Sequence, residues 1–528
     1  MTRINTNVSS MIAQRVLGQN NEALNMSLER LSTGLRINRG KDDPAGLIAS
    51  QNLRAERSAL SSAIKNAERA DQVVNIAEGG LNEISSMLTE VQALITETAN
   101  SAGLSREERE ANQLQIDSIL QTIDRVSAAT SFQGFKLLNG NLDYQVSAVS
   151  SQVSQFNVRG AKLEYNGSRD VEVLVTASAQ VGGFVMSFGL GELNLGGATG
   201  DDGKDEQFVI EIGGELGSRE LSFASGTTLA DMRDAINSFT DVTGVTASLC
   251  GTTAVRLESS EKGSDKFVAV SVVDDGDISG ATGVYGLSDT NVLSADTAAG
   301  ATAFNALTNK LVDEGQDVRA TINGIVATTK GTVASINTDF LDVEVDLNYD
   351  TAAGTPNAAV LGLVEAFTIT GGGADFQLAG RVDIAGKVGI GVSNVAVREL
   401  GRSTVSVRDD AGSKNDQTYT LADFASGKEL NVVDGNLDAA QVIVERAIRD
   451  VSSLRGRLGA FQTNTVSATI NSLGVAVENT SSAESVIRDA DFASETASLT
   501  RSQVLVSSAQ NTLQLANTQP QAALQLLG

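Results

Sequence analysis

Histidine and tryptophan are both missing from this 528-residue chain, and cysteine occurs once. Without histidine there is no His-based catalytic triad, no His metal ligand, no HExxH zinc site and no Cys–His pair. Cys250 alone cannot close a disulfide within the chain, so cysteine usage names no redox compartment. The sequence has only three prolines and 4% aromatics, whereas glycine reaches 51 residues, most of them mid-chain. No apolar run is long enough to span a bilayer. A mean hydropathy of -0.03 and 20% charged residues are ordinary values for water-soluble chains. The opening residues Met1 to Asn7 carry no apolar stretch of the kind a cleavable signal peptide needs, so none is expected.

The formal net charge of -26 is unevenly spread. Residues 1–45 sum to +2 and residues 493–528 to 0, which leaves -28 for residues 46–492. Near-neutral ends around an acidic middle predict ends buried in an assembly and a middle facing water. The acidic surface also argues against nucleic-acid binding, which needs basic stripes. At 528 residues the chain exceeds a single compact core and is expected to form several domains.

Up to about Asn139 the apolar spacing is helical. Leu17, Leu24 and Leu31 recur seven apart, with Leu28 and Leu35 as a second row. Pro44 is read as closing a turn, Asn38 to Gly46. Beyond it Val73, Ile76, Leu81, Ile84, Leu88, Val91, Leu94 and Ile95 keep a three/four spacing. Ser105 with Glu108 forms a capping box that opens a helix with Ile116, Ile119, Leu120, Ile123 and Val126 on one face. The last ~95 residues mirror this pattern. Val442, Ala447, Ile448, Val451, Leu454 and Leu458 predict one long helix, and Leu499, Val506 and Leu513 again recur seven apart with Ala509 and Ala516 beside them. Two unrelated amphipathic helices are the plain alternative; matching seams at opposite ends favour mutual pairing. Such thin seams bury little area, so these helices should order only against many copies.

Between about Leu142 and Val433 the period changes to two, in Phe208-Ile210-Ile212, Val268-Val270-Val272, Leu341-Val343-Val345-Leu347 and Val388-Ile390-Val392. Gly-rich and Asp-rich turns separate these strands, as antiparallel sheet requires. One helix interrupts at Thr227 to Phe239, inside a ββαβ-like module of residues 205–275. The fold class is therefore α + β and multidomain, with terminal helices paired as a coiled-coil shaft and antiparallel β-rich domains inserted. Asp42-Asp43, Asp201-Asp202 and Asp274-Asp275-Gly-Asp277 are carboxylate clusters, but the last lacks the spaced ligands of a calcium loop. Gly196-Gly197 and Gly371-Gly372-Gly373 lie between strands and open no helix, so they are not phosphate loops. No catalytic, cofactor or metal site is expected.

Several longer strings carry a family likeness. Ile4 to Asn7, Ser27 to Asn38 (with Arg36), Asp42-Asp43-Pro44-Ala-Gly-Leu47 and Phe132 to Gly140 resemble the N-terminal signature of bacterial flagellins. Arg457 to Gln462, Ala483 to Asp491, Ala516 to Gln521 and Leu526-Leu527 resemble the C-terminal one, and residues 205–275 look like a module inserted in flagellins and hook-associated proteins. The resemblance implies an extracellular filament subunit, secreted unfolded by the flagellar type III apparatus without a cleaved signal. Its implied partners are its own copies, hook-associated and filament-cap proteins and an export chaperone, with no nucleic acid and no membrane insertion. A hook–filament junction protein, or a secondary adhesive role for the surface region, is the alternative. Residues 1–45 with 493–528 would form the inner tube, 46–150 with 400–492 the next layer, and 151–399 the surface. In flagellins detected by a vertebrate Toll-like receptor, an Arg precedes a Leu by four residues and a Glu follows in the next helix. Here Leu94 matches, but Glu90 and Gln115 stand at the other two positions.

Overall fold

A computed structural model describes residues 6–100, 103–164, 167–195, 207–276, 278, 283–287, 300–307, 309–347, 361–408 and 414–525. Ile4, Gly196-Gly197, Asp201-Asp202, Asp277 and Leu526-Leu527 lie outside these residues. Eight α-helices occur among the described residues: α1 (Val8–Thr33), α2 (Pro44–Thr98), α3 (Arg106–Ala129), α4 (Leu229–Asn237), α5 (Thr240–Thr243), α6 (Leu437–Ala460), α7 (Ala468–Arg488) and α8 (Phe492–Gln525). The chain divides into two compact units, one of residues 1–79, 376–388 and 455–528, the other of residues 80–375 and 389–454.

Pro44 opens a helix and does not close a turn. Asp43 caps α2, its Oδ1 accepting from the Gly46 backbone N–H at 2.9 Å, and proline at the first helical position loses no hydrogen bond. The inward row of α2 is Ala63, Ala67, Ala70, Val74, Ala77, Leu81, Ile84, Leu88, Val91 and Ile95, an unbroken alternation of fours and threes. Ile76, placed on that face by the sequence reading, is exposed, because Val74 and Ala77 take the row. The Ser105–Glu108 capping box on α3 is formed in full. Helix does not run on to Asn139: Ser131–Phe132 and Phe135–Lys136 make a tight hairpin whose turn holds Gln133 and Gly134 at φ 49° and 89°. On α6 Val442 is exposed, and Ile443 and Val444 are buried in its place.

The β region builds two packed cores. In one, a five-stranded antiparallel sheet centred on Arg169–Ala177 and Gly362–Gly372 shares buried residues with a four-stranded sheet centred on Leu341–Leu347. Val171, Val173 and Val175 meet Val343, Val345 and Ile336 there. In the other, Gln207–Gly214 and Phe267–Asp274 lie in one sheet and Ala254–Ser259 in a second, with α4 contributing Leu229, Met232 and Ile236. The 205–275 module thus recruits strands from outside itself, because Gly183–Ser187 and Gly283–Gly286 complete its second sheet. Phe208 sits in its centre, edge-on to Phe188 and Phe304 at 5.7 and 5.3 Å.

Tyr144 ties this region at its base. Its hydroxyl accepts from the Ala161 N–H at 2.8 Å and donates to the Ala161 carbonyl at 3.2 Å. Gly373 and Gly389 admit the ring, since an added Cβ would lie 2.6 Å from the ring and 2.7 Å from Oη respectively. The return of the chain is clamped by α3. Buried Gln113 donates to the Phe424 carbonyl at 2.7 Å and accepts from the Val432 N–H at 2.8 Å, and Asp124 accepts from the Val397 N–H at 2.9 Å. We expect Phe208→Ala to destabilise the β region by about 3–5 kcal/mol, read as a lowered denaturant midpoint with native CD at the helical wavelengths retained.

Candidate assembly interface

The first and last helices of the chain form an antiparallel pair. Asn7 Nδ2 donates to the Ala516 carbonyl at 2.8 Å, Asn20 Nδ2 to the Leu505 carbonyl at 3.4 Å, and Arg30 meets Glu495 at 3.7 Å. The seam follows a strict heptad on both sides. On α1 it is Ser10, Ala13, Leu17, Asn20, Leu24, Ser27 and Leu31; on α8 it is Glu495, Leu499, Ser502, Val506, Ala509, Leu513 and Ala516. Leu17, Leu24, Leu31, Leu499, Val506 and Leu513 are half-buried, while Ala13, Ala509 and Ala516 are buried. Leu28 does not join the seam and is exposed. The companion row of α1 is Ala13, Asn20 and Ser27, small or polar residues that a search for apolar side chains passes over. Their seven-residue spacing was the available signal. Small residues opposite leucine let the backbones approach, which is how the Asn7 and Asn20 amides reach carbonyls of the facing helix.

Loop 34–43 joins α1 to the C-terminal part of the chain. Gly34 ends α1 in the left-handed region at φ 70°. Leu35 bridges Asp489, the Arg36 N–H donates to the Arg488 carbonyl at 2.7 Å, and the Arg36 guanidinium donates twice to the Ile487 carbonyl. Asn38 and Arg39 both donate backbone N–H groups to Asp42 Oδ2, at 3.1 and 2.8 Å, and hold its carboxyl below its ordinary pKa. Because that pKa is depressed on folding, this contribution is present at neutral pH and is lost as pH falls through the lowered value. Buried Glu484 is met by Arg57 of α2 at 3.0 Å and Arg488 at 3.9 Å. The signature residues Arg36, Asn38, Asp42, Asp43 and Pro44 therefore all shape this corner.

Outside the seam, both helices carry apolar side chains that are exposed among the described residues. Val8, Met11, Ile12, Val16 and Met26 are exposed on α1, and Phe492, Val504, Leu505 and Leu515 on α8; Met11, Val504 and Leu515 each exceed 60%. Such a display at two thin helices marks a surface built for other proteins. On the other compact unit, Gln115 Nε2 donates to Glu90 Oε1 at 2.8 Å, and Leu94 is buried in the helical core. Among the described residues no group of three or more His, Cys, Asp or Glu could hold a metal ion, and no helix is long and apolar enough to cross a membrane.

Residues 4–143 match the bacterial flagellin N-terminal helical region, residues 442–527 the bacterial flagellin C-terminal helical region, and residues 207–260 the flagellin hook IN motif. The chain belongs to the bacterial flagellin family. Flagellin A of Helicobacter pylori is 29% identical and a flagellin of Salmonella choleraesuis 28%, each alignment covering 99% of both chains. A solved structure of Xanthomonas campestris FlgL aligns with 81% of this chain and 98% of its own at 11% identity, and its TM-score of 0.25 carries no structural argument. Flagellins are structural proteins, and this chain is a subunit of the flagellar filament. In this flagellin, Ala13→Leu should overpack the seam at a cost of about 1–3 kcal/mol. The expected outcome is a raised critical concentration for polymerisation by sedimentation, with the β-rich unit unchanged in its unfolding.

Proposed function

We propose that this flagellin polymerises through the α1–α8 pair, with residues 1–45 and 493–528 as the innermost layer. The observation that carries the reading is the pair itself: a seam that holds only two helices together, flanked by uncovered apolar faces on both. In this reading residues 46–150 with 400–492 form the next layer and residues 151–399, with the 205–275 module, lie outermost. The near-neutral ends and the -28 charge of residues 46–492 support that order, since charge belongs where water is. Export unfolded by the type III apparatus, without a cleaved signal, fits helices too thin to be stable alone. The expected partners are other copies, hook-associated and cap proteins at the filament ends, and an export chaperone that shields the apolar faces. Truncation of residues 493–528 should abolish filaments in electron micrographs while the middle unfolds at its normal midpoint; filaments of ordinary length from the truncated protein would overturn the assignment.

We further infer weak activation of the flagellin-sensing Toll-like receptor. An arginine at position 90 would present five donors and a positive charge, whereas Glu90 presents acceptors of opposite sign and already holds Gln115. Leu94 faces inward, so apolar contact from it cannot compensate. A reporter-cell assay should show a low response to the native chain and a raised one to the Glu90→Arg, Gln115→Glu double variant. A full response to the native chain would sink this inference.

A further inference from the structure

Helices α6 and α7 are joined by a π-helical stretch, Phe461–Ser467, in which each turn takes an extra residue. Its effect can be read in the burial pattern. The inward row of α6 runs Val444, Ala447, Val451, Leu454, Leu458, Phe461 in threes and fours. The next buried residue is Val466, five positions on, and the α7 row is Leu473, Ala476, Thr480, Glu484 and Ile487. Continued without the extra residue, the α6 row would have passed through half-buried Thr465 and then, along α7, through Ala468, Ser472, Val475, Asn479, Ser482 and Val486. All six of these α7 residues are exposed, and Val486 is 78% exposed. One extra residue turns the following helix by about 100°. Two valines have been rotated out, and a glutamate that needs Arg57 has been rotated in.

The π stretch is touched from two sides. Gln462 Nε2 donates to Asp71 and Asn75 of α2 at 2.7 and 2.9 Å. The other contact comes from a finger of the inserted region, residues 376–388, which belongs to the same compact unit as the π stretch, α7 and residues 1–79. Phe376 lies against Phe461, ring centroids 5.9 Å apart. Behind it Leu378 is buried, Asn66 Nδ2 of α2 donates to the Gln377 carbonyl at 3.4 Å, and a Cβ on Gly380 would meet Ala59 and Leu60 at 3.5 Å. The finger braces itself: the Gly386 N–H donates to Asp383 Oδ1 at 2.7 Å and the Leu378 N–H to the Gly386 carbonyl at 3.0 Å.

We infer that Phe376 is a positioning residue that holds the π stretch open, and thereby selects which of two rows of α7 faces inward. An α-helix is the lower-energy path for residues 461–467, so the wide turn persists only where its surroundings hold it. Both rows of α7 carry apolar residues, which makes the second phase a real competitor. Since α7 ends at the residues that bond to Leu35 and Arg36, its phase is passed on to the corner beneath the α1–α8 pair.

The test is thiol labelling of the depolymerised full-length chain in a Cys250→Ser background, with single reporters Leu473→Cys or Val475→Cys. In the parent, position 475 should react fast and position 473 slowly. With Phe376→Ala the order should reverse, each rate changing about tenfold or more, as expected when a side chain moves between solvent and a packed face. Phe376→Leu should keep the parent order. Deleting Asn464 removes the extra residue, so that variant should keep the parent order with or without Phe376→Ala. Unchanged labelling in Phe376→Ala, fast labelling at both positions, or a reversed order in the Asn464 deletion would each overturn the inference. If Phe376→Ala does not fold, the Asn464 deletion should restore its folding with the parent labelling order, and a double variant that stays unfolded would overturn the inference.

Discussion

Everything in this chain is arranged around one pairing: helices at opposite ends of the sequence must lie antiparallel in a fixed heptad register. The contacts Asn7 to Ala516, Asn20 to Leu505 and Arg30 to Glu495 keep the two residue numbers summing to nearly the same value, so the pair runs without slippage. Whatever intervenes must therefore bring the chain back to where it left. The corner at Leu35 and Arg36 fixes that return through backbone hydrogen bonds, which are indifferent to side-chain identity in the partner strand.

The inserted region solves the same closure problem a second time. Gln113 and Asp124 on α3 bond backbone groups of the returning segment, and Tyr144 bonds both backbone groups of Ala161. Gln113 and Tyr144 are buried and Asp124 is exposed, and each is met by main chain. A buried amide that loses such partners costs more than the bond is worth when made. That asymmetry tolerates long excursions between clamps while penalising a misplaced return.

Much of this was legible in the sequence, because period and capping are local. Leu499, Val506, Leu513, Ala509 and Ala516 announced their seam, and Ser105 with Glu108 announced the start of α3. The β region followed from alternation, with Phe208, Ile210 and Ile212 all buried as read. What was missed depends on chemistry that apolar counting cannot see. Asp43 before Pro44 is a helix start, yet proline alone suggested a stop. Leu28 and Leu35 stood out as a second apolar row, whereas the close approach of two backbones selects the smaller side chains Ala13 and Ser27. The finger at residues 376–388 and the π stretch had no local signature at all. The slip from Phe461 to Val466 is visible only once one knows which α7 row faces inward.

The contrast between α2 and the α6–α7 path carries the last step. Over Ala63 to Ile95, α2 keeps one phase without interruption. The C-terminal path beside it changes phase once, at a point pinned by Gln462 to α2 itself. A continuous heptad there would have hidden Val475 and Val486 inside a single chain, leaving less apolar surface for neighbours. Breaking the phase exposes both, adding to the uncovered side chains already present on α1 and α8. A subunit stable as a monomer would bury such residues. A subunit meant for a polymer keeps them outside, where only another copy can remove them from water.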